Sequence, residues 1–418
     1  MEPIKSSSLF VNGSVWLRAD FHLHTNADKE FKYSGEPQNY VSSYIQRLKD
    51  EDIHVGIITN HNKFDFEEYK TLRMAAKKEN SWRVSGVELS VGDGSNGIHT
   101  LIAFDERNWL TSNENFIEQF LTAAFEGIAN RENENTRCKY NLETLLKKLD
   151  EHRNQGRDSF IIFAHAEDNS GFFKELDGGR IIQLANNDLF KTTVLGLQKI
   201  RTYSKLDTYK QWFKRDLPVF VEGSDCKEIN NVGKPSKQSE KEKKTFVKIG
   251  DFNFEALKYA LIDKEHRVAE EPIKPANSYI KSIQLIGGKL DGQTLSFSPE
   301  LNCFIGIRGS GKSSIIEILR YALGISLSDS SADNHYKEEL VSYILGSGGK
   351  AVVTVYNRQD KKEYRIEKIY GQKETIFDSE TNTIKDCSID TILGSPIYFG
   401  QKTCQTARVT SKPTCSGD

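Results

Sequence analysis

Asp20-Phe21-His22-Leu23-His24-Thr25 (DFHLHT, residues 20–25) closes a strand-like run that begins at Trp16. One residue separates its two histidines. On an extended chain, positions i and i+2 project to the same side, so both imidazoles can reach one point. The placement recurs along the chain. Asn60-His61 follows Ile57-Ile58-Thr59, Glu88 ends Gly86-Val87-Glu88, His165 follows Phe160–Ala164, and Asp225 stands just past Val219–Val221. His99 opens the apolar run His99-Thr-Leu-Ile-Ala-Phe. Histidine is scarce, nine in 418 residues. One such histidine reads most simply as a hydrogen-bonded core or capping residue, and His99 alone stays open to that reading. Five segments repeating one placement do not.

The segments alternate with helical periodicity. Val41, Tyr44, Ile45 and Leu48 recur at i, i+3, i+4, i+7, and Leu142, Leu145, Leu146 and Leu149 repeat the pattern. Helices are expected near 65–79, 205–214 and 253–262, and strands at Trp16–Phe21, Val55–Thr59, Arg83–Leu89, Ser159–Ala164, Thr193–Ile200 and Leu217–Val221. Such alternation predicts an α/β domain of parallel strands covered by helices. In a parallel barrel the C-terminal strand ends converge on one face, where imidazoles and carboxylates together suit Zn²⁺, Mn²⁺ or Fe.

Charged residues make up 28% of the chain and apolar ones 37%, with a net charge of −2. That balance gives no global pull toward nucleic acid or membrane. The six cysteines are dispersed without a C-x-x-C pair, which fits a reducing compartment. No apolar run reaches the roughly 18–20 residues that span a bilayer, so the expectation is a cytoplasmic protein without a membrane partner. Residues 230–248 hold six lysines and read as a solvated loop.

DFHLHT, ITNHN, GVELS, FAHAED and EGSDCKE, in that order, resemble the motifs of the PHP (polymerase and histidinol phosphatase) superfamily over residues 16–270. The resemblance implies a distorted (β/α)₇ barrel holding two or three divalent ions and hydrolysing phosphoesters. It places His22, His24, His61, Glu88, His165 and Asp225 in the catalytic metal set, with Glu88 as the bridging carboxylate; His99 joins the candidate metal ligands from its place at the start of its apolar run. A further ligand falls on Glu30, with Asp28 as the alternative. Two positions depart from the family. Asn60 stands where an aspartate is usual, and Lys227 where a histidine is usual. Either one ion is missing or Lys227 grips a substrate phosphate; Cys226 is a soft ligand expected to face away.

A second domain is expected over 279–401, after a linker at 271–278 and before an irregular tail at 402–418. Gly306-Ile-Arg308-Gly309-Ser310-Gly311-Lys312-Ser313 is a complete G-x-x-x-x-G-K-[ST] loop, expected between a strand Asn302–Ile305 and a helix Ser313–Leu323. Glycines let backbone N–H groups approach phosphates, Lys312 reaches the β and γ oxygens, and Ser313 can hold Mg²⁺. Ser314 and Arg308 complete the predicted cradle. Short antiparallel strands flank the loop at Tyr279–Ile286, Leu295–Phe297, Ala351–Tyr356 and Glu363–Tyr370.

This arrangement, with Ile397–Gln401 in the position of a Q-loop, is similar to the first lobe of SMC/RecF/ABC-type ATPases. The order of the two domains resembles the TrlF-like PHP-ATPase family. The resemblance implies ATP with Mg²⁺ as ligand and dimerisation through the ATPase lobe in the intact protein. It also implies a truncated chain, since no signature motif or Walker B strand follows Gln401, so ATP hydrolysis by this chain alone is not expected. The reading is a metal-dependent phosphoesterase acting on DNA, in repair or phage defence. A decayed nucleotide-binding scaffold and a histidinol-phosphatase-like enzyme are the alternatives.

Overall fold

Nine residues from Val15 to Leu23 form β1, buried over its last seven positions, and this strand organises the first unit of the chain. The computed structural model describes residues 8–235, 242–327 and 334–399, which divide into two compact units, one of residues 8–10 with Ser14–Ile273 and one of Val11–Gly13 with Lys274 onward. In the first unit β1 pairs in parallel with β2 (Val55–Ile58), which pairs in parallel with β3 (Trp82–Val91). The sheet continues through β4 (Ile98–Phe104), β5 (Ser159–Phe163), β6 (Val194–Gln198) and β7 (Val219–Val221). On the other side of β1 lie β8 (Thr245–Ile249) and β9 (Val268–Ala269). Past the end of β7 the chain returns to β1. The Phe21 amide donates to the Glu222 carbonyl at 3.2 Å, and the Asp225 amide to the His22 carbonyl at 2.8 Å. The result is a nearly closed mixed barrel.

Period-two patterning assigns the two faces of the strands. Leu101, Ala103, Phe160 and Ile162 pack with the helix Phe254–Ile262 in one core. Ile102, Phe104, Ile161 and Phe163 join a second core with the helices Tyr40–Asp50, Phe66–Lys78 and Leu142–Arg153. Side-chain caps start the helices: Asp65 accepts from the Glu68 amide, Asn141 from Thr144 and Asn253 from Ala256.

Two expectations need correction. β4 runs antiparallel to both neighbours, so the strands are not all parallel. Only residues 92–97 join it to β3, a hairpin-length loop, whereas a parallel return needs a crossover of a dozen residues or more. The reversal brings the start of β4, and His99 with it, to the edge where the other strands end. The lysine-rich stretch 230–248 is not loop throughout, because its last residues form β8, antiparallel to β1. There Thr245, Val247, Lys248 and Ile249 are buried and Phe246 partly so, apolar residues hidden among lysines in the sequence.

The second unit carries an antiparallel five-stranded sheet ordered β11-β10-β12-β13-β14, from β10 (Tyr279–Ile286), β11 (Thr294–Ser296), β12 (Lys350–Asn357), β13 (Lys362–Ile369) and β14 (Thr375–Asp378). Helices Lys312–Ala322 and Asn334–Leu345 share its core. The strand expected at Asn302–Ile305 does not form, and Leu301, Ile305 and Ile307 are exposed at 89%, 93% and 82%. No strand among the described residues pairs with this segment.

Candidate metal centre

Glu88, near the end of β3, is 1% exposed and surrounded by imidazoles. Its Oε2 lies 2.8 Å from His22 Nε2, 3.1 Å from His61 Nε2 and 3.4 Å from His24 Nε2. Its Oε1 faces the other way, 2.8 Å from His99 Nδ1 and 3.6 Å from His165 Nε2. Asp225 Oδ1 completes the first side, 3.3 Å from His24 Nε2 and 3.8 Å from His22 Nε2. Three overlapping groups result: His22–His24–Asp225, His24–His61–Glu88 and Glu88–His99–His165, with donor atoms within 4.8 Å of one another in each.

The rings are held from behind. His24 Nδ1 and His61 Nδ1 both meet Asp28 Oδ2, at 2.9 and 3.0 Å. The His61 amide donates to the same oxygen at 2.7 Å. A carboxylate only accepts, so both Nδ1 atoms carry the proton and both Nε2 atoms face the centre. His22 Nδ1 lies 2.9 Å from Gln198 Oε1, which also accepts from the His165 amide at 3.0 Å. Burial would raise the Glu88 and Asp225 carboxyls. Neighbouring imidazoles, with Lys199 beside Asp225, overcome burial and hold both well below the usual carboxylate range. Burial likewise opposes charge on His24, yet Asp225, Asp28 and Glu88 raise it to about 9.

These residues fit a divalent ion. His24 Nε2, Glu88 Oε1 and both ring nitrogens of His99 are buried without an aligned hydrogen-bond partner. Close but misaligned donor atoms are what remains around a cation's position, whereas buried polar groups otherwise pair. Backbone strain agrees. Asn62, His165, Lys199 and Asp225, just past the ends of β2, β5, β6 and β7, take φ of 52°, 27°, 57° and 50°. Glycine fits such positions more easily, so the side chains are retained for their contacts.

The structure brings together His22, His24, His61, Glu88, His99, His165 and Asp225. Glu30 joins none of the groups and is exposed; the buried carboxylate near it is Asp28, which buttresses rings. The turn in which the Asp28 carbonyl accepts from the Phe31 amide separates the two. Asn60 turns from the centre and accepts from the Thr25 amide at 2.8 Å. Cys226 faces the His24 carbonyl, its thiol pushed up to about 12 by burial. Lys227 Nζ lies 3.3 Å from His61 Nε2 and 3.4 Å from Glu134 Oε2.

Three participants escaped the sequence reading. Gln198 closes an apolar strand as the ligands do, a signal present but unused. Lys199 follows it and pairs with Asp225 Oδ2 at 3.0 Å. Glu134 lies in an irregular loop that nothing in its neighbours marks.

In the second unit, Gly309 and Gly311 take φ of 84° and 86°, and the helix Lys312–Ala322 starts immediately after them. Lys312 Nζ donates to the carbonyls of Gly306 and Ile307, both at 2.7 Å, so the loop encircles its ammonium. Ser310 Oγ is 3.3 Å from the same nitrogen, Arg308 is exposed, and Ser313 and Ser314 fall in the first helical turn. Gln401 lies outside the described residues. Among the described residues, no helix is long and apolar enough to cross a membrane.

Comparison with solved structures finds a two-domain protein from Bacteroides vulgatus containing a predicted PHP-like metal-dependent phosphoesterase (TM-score 0.40, 12% identity, 71% of this chain and 88% of that one). PsfC from Pseudomonas syringae (0.33, 13%, 56% and 82%) is also similar. So is an amidohydrolase from Chromobacterium violaceum (0.37, 13%, 52% and 90%). All three scores lie below 0.5, so the reading of the centre rests on its own geometry. No curated protein matches the chain. Residues 278–397 match the AAA domain family.

Proposed function

We propose that the first unit is a metal-dependent phosphoesterase whose substrate is DNA, and that nucleotide bound at the second unit's phosphate loop regulates it. The observation that carries this reading is Glu88, one buried carboxylate with histidines gathered at each of its two oxygens. Bound Mn²⁺, Zn²⁺ or Fe supplies Lewis acidity and a water that ionises near neutral pH, which is the chemistry of phosphoester hydrolysis. Asp28 and Gln198 fix ring orientation, and Lys199 holds Asp225.

The choice of a polymer is supported by an open cleft beside His165 and Asp225, with Lys174 along it, Lys199 paired to Asp225 and Asp168 exposed in the same lining. Glu167, in the same wall, accepts from the Arg201 and Thr202 amides and the Tyr209 hydroxyl rather than facing an incoming anion. The AAA match and the Lys312 loop support ATP as the regulator, with dimerisation as its means. Repair or phage defence is a setting suggested by domain order alone.

Mn²⁺-loaded protein is expected to cleave single-stranded DNA faster than para-nitrophenyl phosphate or histidinol phosphate. His22→Ala with His24→Ala is expected to abolish turnover; undiminished cleavage by that double variant overturns the assignment. Lys312→Ala is expected to weaken ATP binding by about 10–100-fold in calorimetry, because a charge-assisted contact to phosphate is lost. A change below twofold removes the nucleotide from the proposal.

The pH dependence has a defined sign. His24 is protonated below about 9 in the metal-free protein and ligates only when neutral. Mn²⁺ affinity is therefore expected to rise with pH from 6 to 9, by up to about tenfold per unit for one displaced proton, with proton release measurable in buffers of different ionisation enthalpy.

A further inference from the structure

Lys227 stands at the solvent-facing side of the centre, its side chain 39% exposed while His61 beneath it is 3% exposed. Its backbone is fixed, because its carbonyl accepts from the Lys32 amide at 2.9 Å. The ammonium is aimed inward. It lies 3.3 Å from His61 Nε2, and Glu134 Oε2 lies 3.4 Å from it and 3.8 Å from the same ring nitrogen. Because His61 Nδ1 is committed to Asp28, Nε2 is the atom that ring offers to the centre.

A divalent ion in the His24–His61–Glu88 group would bind the same Nε2 at about 2 Å, placing two cations in close contact. Lys227 meets the donor groups at His61, which belongs to neither His22–His24–Asp225 nor Glu88–His99–His165, and Glu88 turns a separate oxygen toward each side. We propose that the Lys227 ammonium is a fixed cation of the centre: it takes the place of a metal ion beside His61 and presents N–H groups to a phosphoryl oxygen of the substrate. The centre then holds a pair of ions plus one protein-borne charge. An ammonium with three donors spends two on His61 and Glu134 and keeps one for an incoming anion.

This inference rests on the phosphoesterase reading, and metal analysis separates the two. Purified full chain is equilibrated with Mn²⁺, its metal content measured by plasma mass spectrometry, and inorganic phosphate titrated by calorimetry into the loaded protein. A pair of Mn²⁺ ions per chain is expected in wild type and in Lys227→Gln. Phosphate affinity is expected to fall about tenfold in Lys227→Gln and to stay within about threefold in Lys227→Arg, because the charge-assisted contact survives only in the latter. Three ions in the wild type, or phosphate affinity indifferent to Lys227→Gln, overturns this inference and leaves the phosphoesterase standing. Wild type without bound metal overturns both.

Discussion

Glu88→Ala is expected to empty the centre of metal and to lower Mn²⁺-dependent phosphodiester cleavage by about a thousandfold or more. Glu88 and His24 are each shared by two of the three donor groups, and Glu88 lies within 3.6 Å of five imidazoles. Removing it leaves the histidines around His22 and His61 without the negative charge that gathers them. Glu88→Gln keeps the volume but not the charge and is expected to retain the fold with much weaker metal binding. Metal content, far-UV circular dichroism and cleavage of a labelled oligonucleotide read out the three effects separately. Wild-type metal content in Glu88→Ala would remove the bridging role.

Phe172→Ala is expected to destabilise the first unit by about 3–5 kcal/mol, the range for truncating a fully buried aromatic. Phe172 is 0% exposed. It stacks on Phe163 with ring centroids 4.2 Å apart and packs against Phe190 and Phe213. Phe163 is the last residue of β5, two positions before His165, so the cavity opens beneath a candidate ligand. A lower midpoint in urea is expected together with weaker Mn²⁺ binding. A loss below about 1 kcal/mol would mean that Phe190 and Phe213 collapse into the space.

The candidate site was legible because its chemistry falls where apolar runs stop. His24, His61, His165 and Asp225 stand past the ends of their strands and His22 and Glu88 near the ends of theirs, and a sheet whose strands share one edge gathers such positions without further instruction. What was not legible depends on geometry that residue type does not carry. Asp28 and Glu30 differ by burial, and a turn at Asp28–Phe31 decides which faces inward. Glu134 reaches Lys227 only through the tertiary fold. The direction of β4 was written in the brevity of residues 92–97, a length that permits only a hairpin. β8 was masked by composition, its apolar residues set among lysines. The strand before the phosphate loop was expected from its apolar residues, yet a strand exists only when another chain segment pairs with it.

Asp28 has a kinetic consequence. One carboxylate holds the Nδ1 atoms of His24 and His61 together, so the His24 ring already stands in its ligating orientation while a proton occupies the centre, and the His61 ring stays turned to Lys227. Loading an ion then requires no reordering of the backbone. The association rate belongs to the departure of the imidazole proton, and it should follow buffer concentration and deuterium substitution rather than solvent viscosity.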